Sequence, residues 1–322
     1  MLSLFAKRDR VGRAIAPAAL AGELGEVVWI DMLQPTPEET GAVEAALGIE
    51  MPTREEMREI EASARVYEES EAVYLTASLP VNAETDAPEL TEVSFILKGE
   101  RLVTLRYAEP QPFKTLAQRL ERQGGFEHGE GAFFWLVDAI VARLADLLER
   151  AAVDVDNLSA EVFRAADGER PDLVAAIARI GRAGQLSGRV RESLLTLNRI
   201  LLFVGQTDSL PIAMRKDART RAKSLNRDVY SLSAHADFVN NKVTFALDAT
   251  LGLINIEQTK IIKIFSVLAM VFLPPTLIAS IYGMNFEVMP ELQWPLGYPF
   301  ALVLMVISAV VPYAFFKRQG WL

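Results

Sequence analysis

Apolar positions recur along this chain with two different periods, and the change of period divides it. Up to about residue 125 short strand-like runs alternate with helical ones. Val27-Val28-Trp29-Ile30-Asp31 is a β-rich run. Residues 36–47 read as a helix, with Thr36 and Glu39 at capping-box spacing and Pro37 in the first turn. A second, acidic helix is expected from Thr53, where Glu56 stands at the same spacing. Ala72 to Val81, Glu92 to Lys98 and Arg101 to Tyr107 read as strands. The last two are joined by a hairpin turn at Gly99-Glu100, and 82–89 is an acidic loop containing Pro88. The expectation for 1–125 is a small sheet flanked by helices, an α/β domain.

After Gly131 the strand signals stop. Residues 132–166 hold neither Pro nor Gly, and Leu136, Ile140, Leu144 and Leu147 recur at helical spacing. Pro171 to Val204 continues in the same style. Between Pro211 and Pro274 there is no proline, and Gly252 is the only glycine. One unbroken helix over that span would be about 90 Å long at 1.5 Å per residue. The alternative is two or three shorter helices with a break near Ser231 to Asp237. The absence of a stop signal favours the long helix, a stalk within a helical region of about 126–260.

Charge is distributed unevenly. Of the 33 basic and 42 acidic side chains, only Glu287 and Glu291 lie between Lys263 and Lys317. Ile264 to Phe286 and Leu292 to Phe316 are each long enough to cross about 30 Å of hydrocarbon, so membrane helices are expected at about 261–282 and 298–316, with a loop at 283–297. A buried hairpin of core helices is the competing reading of two such runs. Lys260 and Lys263 precede the first, Lys317 and Arg318 follow the second, and the loop between has no basic residue. The positive-inside rule then places both termini in the cytoplasm, with Trp294 and Tyr298 as outer anchors and Trp321 as an inner one. The basic N-terminal stretch followed by AIAPAALAG makes a poor signal peptide, because that apolar part is short, Ala-rich and interrupted by Pro17. The fold class expected is an α-helical membrane protein with two C-terminal transmembrane helices, an N-terminal α/β cytosolic domain and a long stalk helix.

Composition narrows the chemistry. There is no Cys, and His128 and His235 are the only histidines, so any metal handled here is held mainly by oxygen. A net charge of −9 argues against a nucleic-acid partner. Gly181, Gly184 and Gly188 lack the spacing and the Lys-Ser/Thr ending of a P-loop, and no catalytic constellation stands out. Neither an enzyme nor an organic cofactor is expected.

Two spans cannot enclose water, so an ion path requires several chains around an axis. Ile262, Phe265, Ala269, Leu273, Thr276, Ser280 and Gly283 recur every three or four residues along the first span, changing from bulky apolar to small and polar. This stripe suits a pore lining; packing of small polar side chains between helices is the other reading. Pro274-Pro275 would free backbone carbonyls that can face water or a hydrated ion. The span ends in Gly283-Met284-Asn285, whose backbone carbonyls and Asn285 amide oxygen offer neutral ligands to a hydrated hard cation at a helix C-terminus. Glu287 and Glu291 could concentrate cations there, or be plain solvated carboxylates.

With Gly283-Met284-Asn285 closing the first span, the Met289-Pro290-Glu291-Leu292 loop, and a Lys317-Arg318-Gln319-Gly320-Trp321-Leu322 ending, the chain resembles the CorA family of divalent-cation transporters. The resemblance is close over about 250–322, including Asn255-Ile256-Glu257-Gln258 and Pro274-Pro275-Thr276, in the manner of the family's enterobacterial branch. It is recognisable in Val28-Trp29-Ile30-Asp31 and in Ile60-Glu61-Ala62-Ser63-Ala64-Arg65. It implies a funnel-shaped homopentamer in the cell inner membrane that moves Mg²⁺, and also Co²⁺ or Ni²⁺, inward down the electrochemical gradient. It further implies closure by cytosolic Mg²⁺ at acidic sites between protomers. Asp228, in Arg227-Asp228-Val229-Tyr230, resembles the stalk acid of that site, and Glu84, Asp86 and Glu89 are candidate partners. A solvated surface acid is the alternative for Asp228. Two other functions stay open: a zinc-transporting member of the same superfamily, and a membrane-anchored binding module that transports nothing.

Overall fold

Side chains on a strand point alternately to its two faces, and this alternation builds a seven-stranded sheet in a computed structural model that describes residues 1–7, 12–85, 87–165, 172–206, 215–285, 287 and 289–320. The chain divides into two compact units, Met1–Leu247 and Asp248–Leu322. In the first, strands β1 (Leu2–Ala6), β2 (Arg13–Ala14), β3 (Val27–Leu33), β4 (Val66–Glu69), β5 (Ala72–Val81), β6 (Glu89–Lys98) and β7 (Arg101–Arg106) lie in the order β2-β1-β3-β7-β6-β5-β4. Only β3 and β7 pair in parallel; the other described pairs are antiparallel. Short helices α1 (Leu20–Glu23) and α3 (Ala62–Arg65) and the longer α2 (Pro37–Leu47) fill the connections.

One face of the sheet presents Trp29, Val73, Leu75, Phe95 and Leu97 to a core shared with long helices. The other presents Ile30, Met32, Tyr74 and Ile96 to Val43 of α2 and to Met51 and Met57. The capping box of α2 is complete: Glu39 N donates to Thr36 Oγ1 at 3.2 Å, and Thr36 N donates to Glu39 Oε2 at 2.9 Å. Gly48 ends that helix at φ 64°, a conformation costly for any residue with a Cβ.

Two expectations need correction. The same reciprocal bonds form between Thr53 and Glu56, yet they open only a 3₁₀ turn, Glu56–Arg58. Met57 is the one buried side chain of that turn, so the acidic run has no apolar stripe with which to extend. Strand β6 begins at Glu89, which pairs with Val81, rather than at Glu92. Strand β1 was not expected at all; five residues are too few for periodicity to register, although Leu2 and Leu4 are buried.

Helices α4 (Gln111–Gln123), α5 (Gly129–Ala165), α6 (Leu173–Gln206) and α7 (Lys216–Tyr282) follow. No break occurs at Ser231 to Asp237, so the long-helix reading holds. Leu225, Val229, Ala236 and Val239 carry one buried stripe through that region, and Ser233 Oγ donates to the Val229 carbonyl at 2.8 Å.

Three buried charged side chains tie the sheet together. Arg106 on β7 grips Asp31 on β3 with both ends of its guanidinium, Nε to Oδ1 at 3.0 Å and Nη2 to Oδ2 at 2.7 Å. Thr104 Oγ1 donates to the same carboxylate at 2.7 Å and accepts from Trp29 Nε1 at 3.0 Å. Arg65, closing α3, donates to Ser78 Oγ and to the Glu59 carbonyl. Burial holds its guanidinium below the usual arginine value, opposed by the charges of Glu92 and Glu192.

The second unit contains the C-terminal part of α7, a 3₁₀ turn at Pro290–Gln293 and α8 (Gly297–Arg318). The most apolar windows of α7 and α8 both reach a mean hydropathy of 2.2, and both helices are long enough to cross a membrane. Neither forms a buried hairpin in the core of this chain, since 0% of the first window and 6% of the second is buried. Trp321 lies outside the described residues, as does Asp86.

Candidate functional site

The site is built on the apolar half of α7. At about 100° per residue, that helix shows two opposite sides. Val267, Met270, Val271, Pro274, Pro275, Ile278 and Tyr282 are half-buried. Val267, Met270 and Val271 border grooves that Tyr313 and Phe316 of α8 also line. Ile262, Phe265, Ala269, Leu273, Thr276 and Ser280 fall on the other side, all exposed. Ile262, Phe265 and Leu273 keep 64, 66 and 65% of their surface open. In this chain, therefore, the polar and apolar members of the expected lining stripe are left uncovered together.

Thr276 Oγ1 donates to the Phe272 carbonyl at 2.7 Å, so its proton is used locally and its lone pairs face outward. The two prolines deprive the carbonyls of Met270 and Val271 of their ordinary donors. Those residues lie on the half-buried side of α7.

At the end of α7, Gly283 N donates to the Ala279 carbonyl at 2.9 Å and Met284 N to the Ile281 carbonyl at 3.2 Å. A Cβ at Gly283 would stand 3.0 Å from the Ala279 oxygen, tighter than ordinary contact, so glycine suits this turn. The chain then leaves the helix, and the last carbonyls keep the partial negative charge of a helix C-terminus. Gly283, Met284 and Asn285 are exposed, and the Asn285 amide makes no hydrogen bond among the described residues. Its oxygen, and the carbonyls beside it, are what a hydrated hard cation would meet. Glu287 and Glu291 are exposed near this turn, with no ion pair among the described residues.

Gly297 was not expected to matter. A Cβ there would meet the Glu291 carbonyl oxygen at 2.2 Å, and Gly297 N donates to the Trp294 carbonyl at 2.9 Å. Trp294 in turn rests on Phe300, ring centroids 5.9 Å apart. The only trace in the sequence is a glycine at the entry of the second apolar run. Gly297→Ala is expected to lower the thermal midpoint of the purified protein by the equivalent of about 1–3 kcal/mol of overpacking. Gly252→Ala, at an open helix position, should instead stabilise by up to about 1 kcal/mol.

Asp228 lies in the other unit, exposed on α7 between buried Leu225 and Val229, with no ion pair among the described residues. Glu84 is already engaged: Arg143 Nη2 donates to it at 2.8 Å and Arg150 Nη1 stands 3.8 Å away. The hydrogen bond and charge of Arg143, with Arg150 behind it, hold this carboxyl below its usual range. Glu89, at the start of β6, is exposed and unpaired among the described residues. No group of three or more Asp, Glu, His or Cys able to hold a metal occurs among the described residues.

Comparison with known proteins agrees with this layout. The family model of the CorA-like Mg²⁺ transporter protein matches residues 25–318. A magnesium transport protein CorA of Pectobacterium atrosepticum is 36% identical over 325 residues, covering 100% of both chains. One from Pasteurella multocida is 36% identical over 301 residues, covering 93% of each. Among solved structures, the complete CorA magnesium transporter of Methanocaldococcus jannaschii superposes with a TM-score of 0.76 at 20% identity, over 100% of this chain and 99% of that one. The fold thus matches that of a full-length transporter, and the sequence matches along its whole length: this chain belongs to the CorA-like Mg²⁺ transporter family.

Proposed function

We propose that this protein carries Mg²⁺ into the cytoplasm through a homopentamer in the cell inner membrane, down the electrochemical gradient, with Co²⁺ and Ni²⁺ as further cargo. The observation that supports it most is the exposed side of α7. It presents the stripe from Ile262 to Ser280 opposite the half-buried side, and it ends in an Asn285 amide without a hydrogen-bond partner among the described residues. Several copies arranged around an axis would enclose that stripe, with α8 outside it against lipid. Ile262, Phe265 and Leu273 then form an apolar constriction that can gate by dewetting. Gly283, Met284 and Asn285 form the outer selectivity ring.

The lysines at the start of the first span and the basic pair after the second put both termini on the cytoplasmic side. An inside-negative potential is sufficient drive, about 4.6 kcal/mol per 100 mV for two charges, so no organic cofactor is needed. Oxygen ligands and the absence of cysteine speak for a hard cation over zinc. The test is the purified protein in vesicles holding a Mg²⁺-sensitive dye. Entry that grows with an imposed inside-negative potential is expected; no entry under a Mg²⁺ gradient would refute transport and favour an anchored binding module.

The same reading includes closure by cytosolic Mg²⁺ bridging acids of neighbouring protomers, with Asp228 as one ligand. Glu89 is a better partner than Glu84, where a cation would have to displace two guanidiniums. Acids facing each other repel, and a bridging cation offsets that repulsion. Asp228→Asn is expected to shift Mg²⁺-dependent protection from protease toward higher Mg²⁺ without lowering maximal entry. Superimposable protection curves would return Asp228 to the solvated surface.

A further inference from the structure

The groove between α7 and α8 is apolar along its walls and basic at one end. It has a volume of about 720 Å³ and is bordered by Val267, Val271, Phe272 and Tyr313, with Lys260 and Lys263 at its mouth. A second groove of about 500 Å³ shares Lys263 and Val267 and runs past Met270 and Phe316. Lys260, Lys263, Val267 and Val271 follow one another at helical spacing on the same side of α7, away from the lining stripe. Neither lysine has a carboxylate within ion-pair distance among the described residues. Lys317 adds a third ammonium nearby, its Nζ 6.0 Å from the centre of the Tyr313 ring.

We infer that this groove binds an anionic diacylglycerophospholipid, its phosphate on Lys260 and Lys263 and an acyl chain along Val267 and Val271. The inference rests on the proposed membrane-spanning reading of the two helices, which sets these lysines at the level of the cytoplasmic headgroups, where anionic lipid is attracted to basic side chains. A small free anion would satisfy the ammoniums but leave the apolar walls uncovered. A helix of a second copy would cover the walls, but the runs lying along them, 264–286 and 292–316, contain no carboxylate. That copy would also bring its own Lys260 and Lys263 to the same level, with only Glu257 nearby to offset them. Only an amphiphile with a negative head matches both ends.

The test is native mass spectrometry of the purified full-length protein, titrated with phosphatidylglycerol or with phosphatidylcholine of the same chains. The wild type should prefer phosphatidylglycerol by roughly tenfold or more, as two lysines near the headgroup level imply. Lys260→Gln with Lys263→Gln should remove that preference while leaving phosphatidylcholine binding unchanged. Lys260→Arg with Lys263→Arg, which keeps both charges, should retain it. Inorganic phosphate should not displace the lipid. Equal binding of both lipids by the wild type, an undiminished preference in the double Gln variant, or displacement by phosphate would overturn the inference. So would disulfide cross-linking of Val267→Cys to a second copy in phosphatidylglycerol membranes, which would identify protein in the groove. Mg²⁺ entry measured with the same preparation separates the two readings. Entry without lysine-dependent lipid preference removes the lipid site alone. Preference without entry removes transport and leaves the lipid site standing.

Discussion

Substituting Asn285 by Ala is expected to reduce Mg²⁺ entry to the level of protein-free vesicles while leaving assembly and thermal stability unchanged. The amide is exposed at the end of α7 and makes no hydrogen bond among the described residues, so its loss leaves no buried group unsatisfied. What disappears is the oxygen that meets the ion's water shell. Mg²⁺ dehydrates reluctantly and depends on such outer contacts to enter a narrow path. The neighbouring carbonyls of Gly283 and Met284 persist in the variant but are tied to the backbone and cannot close the gap. Glu287→Gln, which removes one of two exposed acids, should lower entry only at low ionic strength, where attraction of cations to the mouth matters. Near-normal entry through Asn285→Ala vesicles would take the selectivity role away from the tripeptide.

The second large effect is on stability. Asp31→Ala should destabilise the first unit by about 3–5 kcal/mol, because it leaves the Arg106 guanidinium buried without its counter-ion. Arg106 and Asp31 retain only 5 and 7% of their surface, so bulk water reaches the pair poorly. At roughly 2–4 °C per kcal/mol for a domain of this size, the thermal midpoint of the full chain should fall by about 6–20 °C. Replacing both partners, as Asp31→Leu with Arg106→Met, should recover most of that loss, since the penalty comes from the stranded charge and not from the missing bond. An unchanged midpoint in Asp31→Ala would show that the pair holds nothing together.

Both effects fall on residues visible in the sequence, though not equally legible there. Gly283-Met284-Asn285 stood out because it follows an uncharged run of membrane length. Asp31 stood out only as part of a motif, and its partner could not be named. The two are 75 residues apart, and the parallel register of β3 and β7 brings them together. Arg65 is similar: the stretch 60–65 was recognisable, but its bond to Ser78 depends on how β5 packs.

What the sequence determined by itself was what depends on short range or on the solvent. A capping box needs atoms three residues apart, and both expected boxes form. The long α7 follows from the lack of any stop signal between Pro211 and Pro274; the Pro274-Pro275 pair beyond it lies inside the helix. The two apolar runs follow from length and missing charge, because hydrocarbon excludes ions wherever they occur in a chain. Tertiary structure decided what depends on partners. It set which side of α7 α8 approaches, and so placed Met270 and Val271 on the half-buried side and the two lysines at the mouth of a groove. It made Gly297 obligatory by bringing the Glu291 carbonyl against it, and it drew Leu2–Ala6 into the sheet beside β3. Helical and strand periods repeat within a few residues, whereas these contacts join atoms whose separation along the chain no local pattern records.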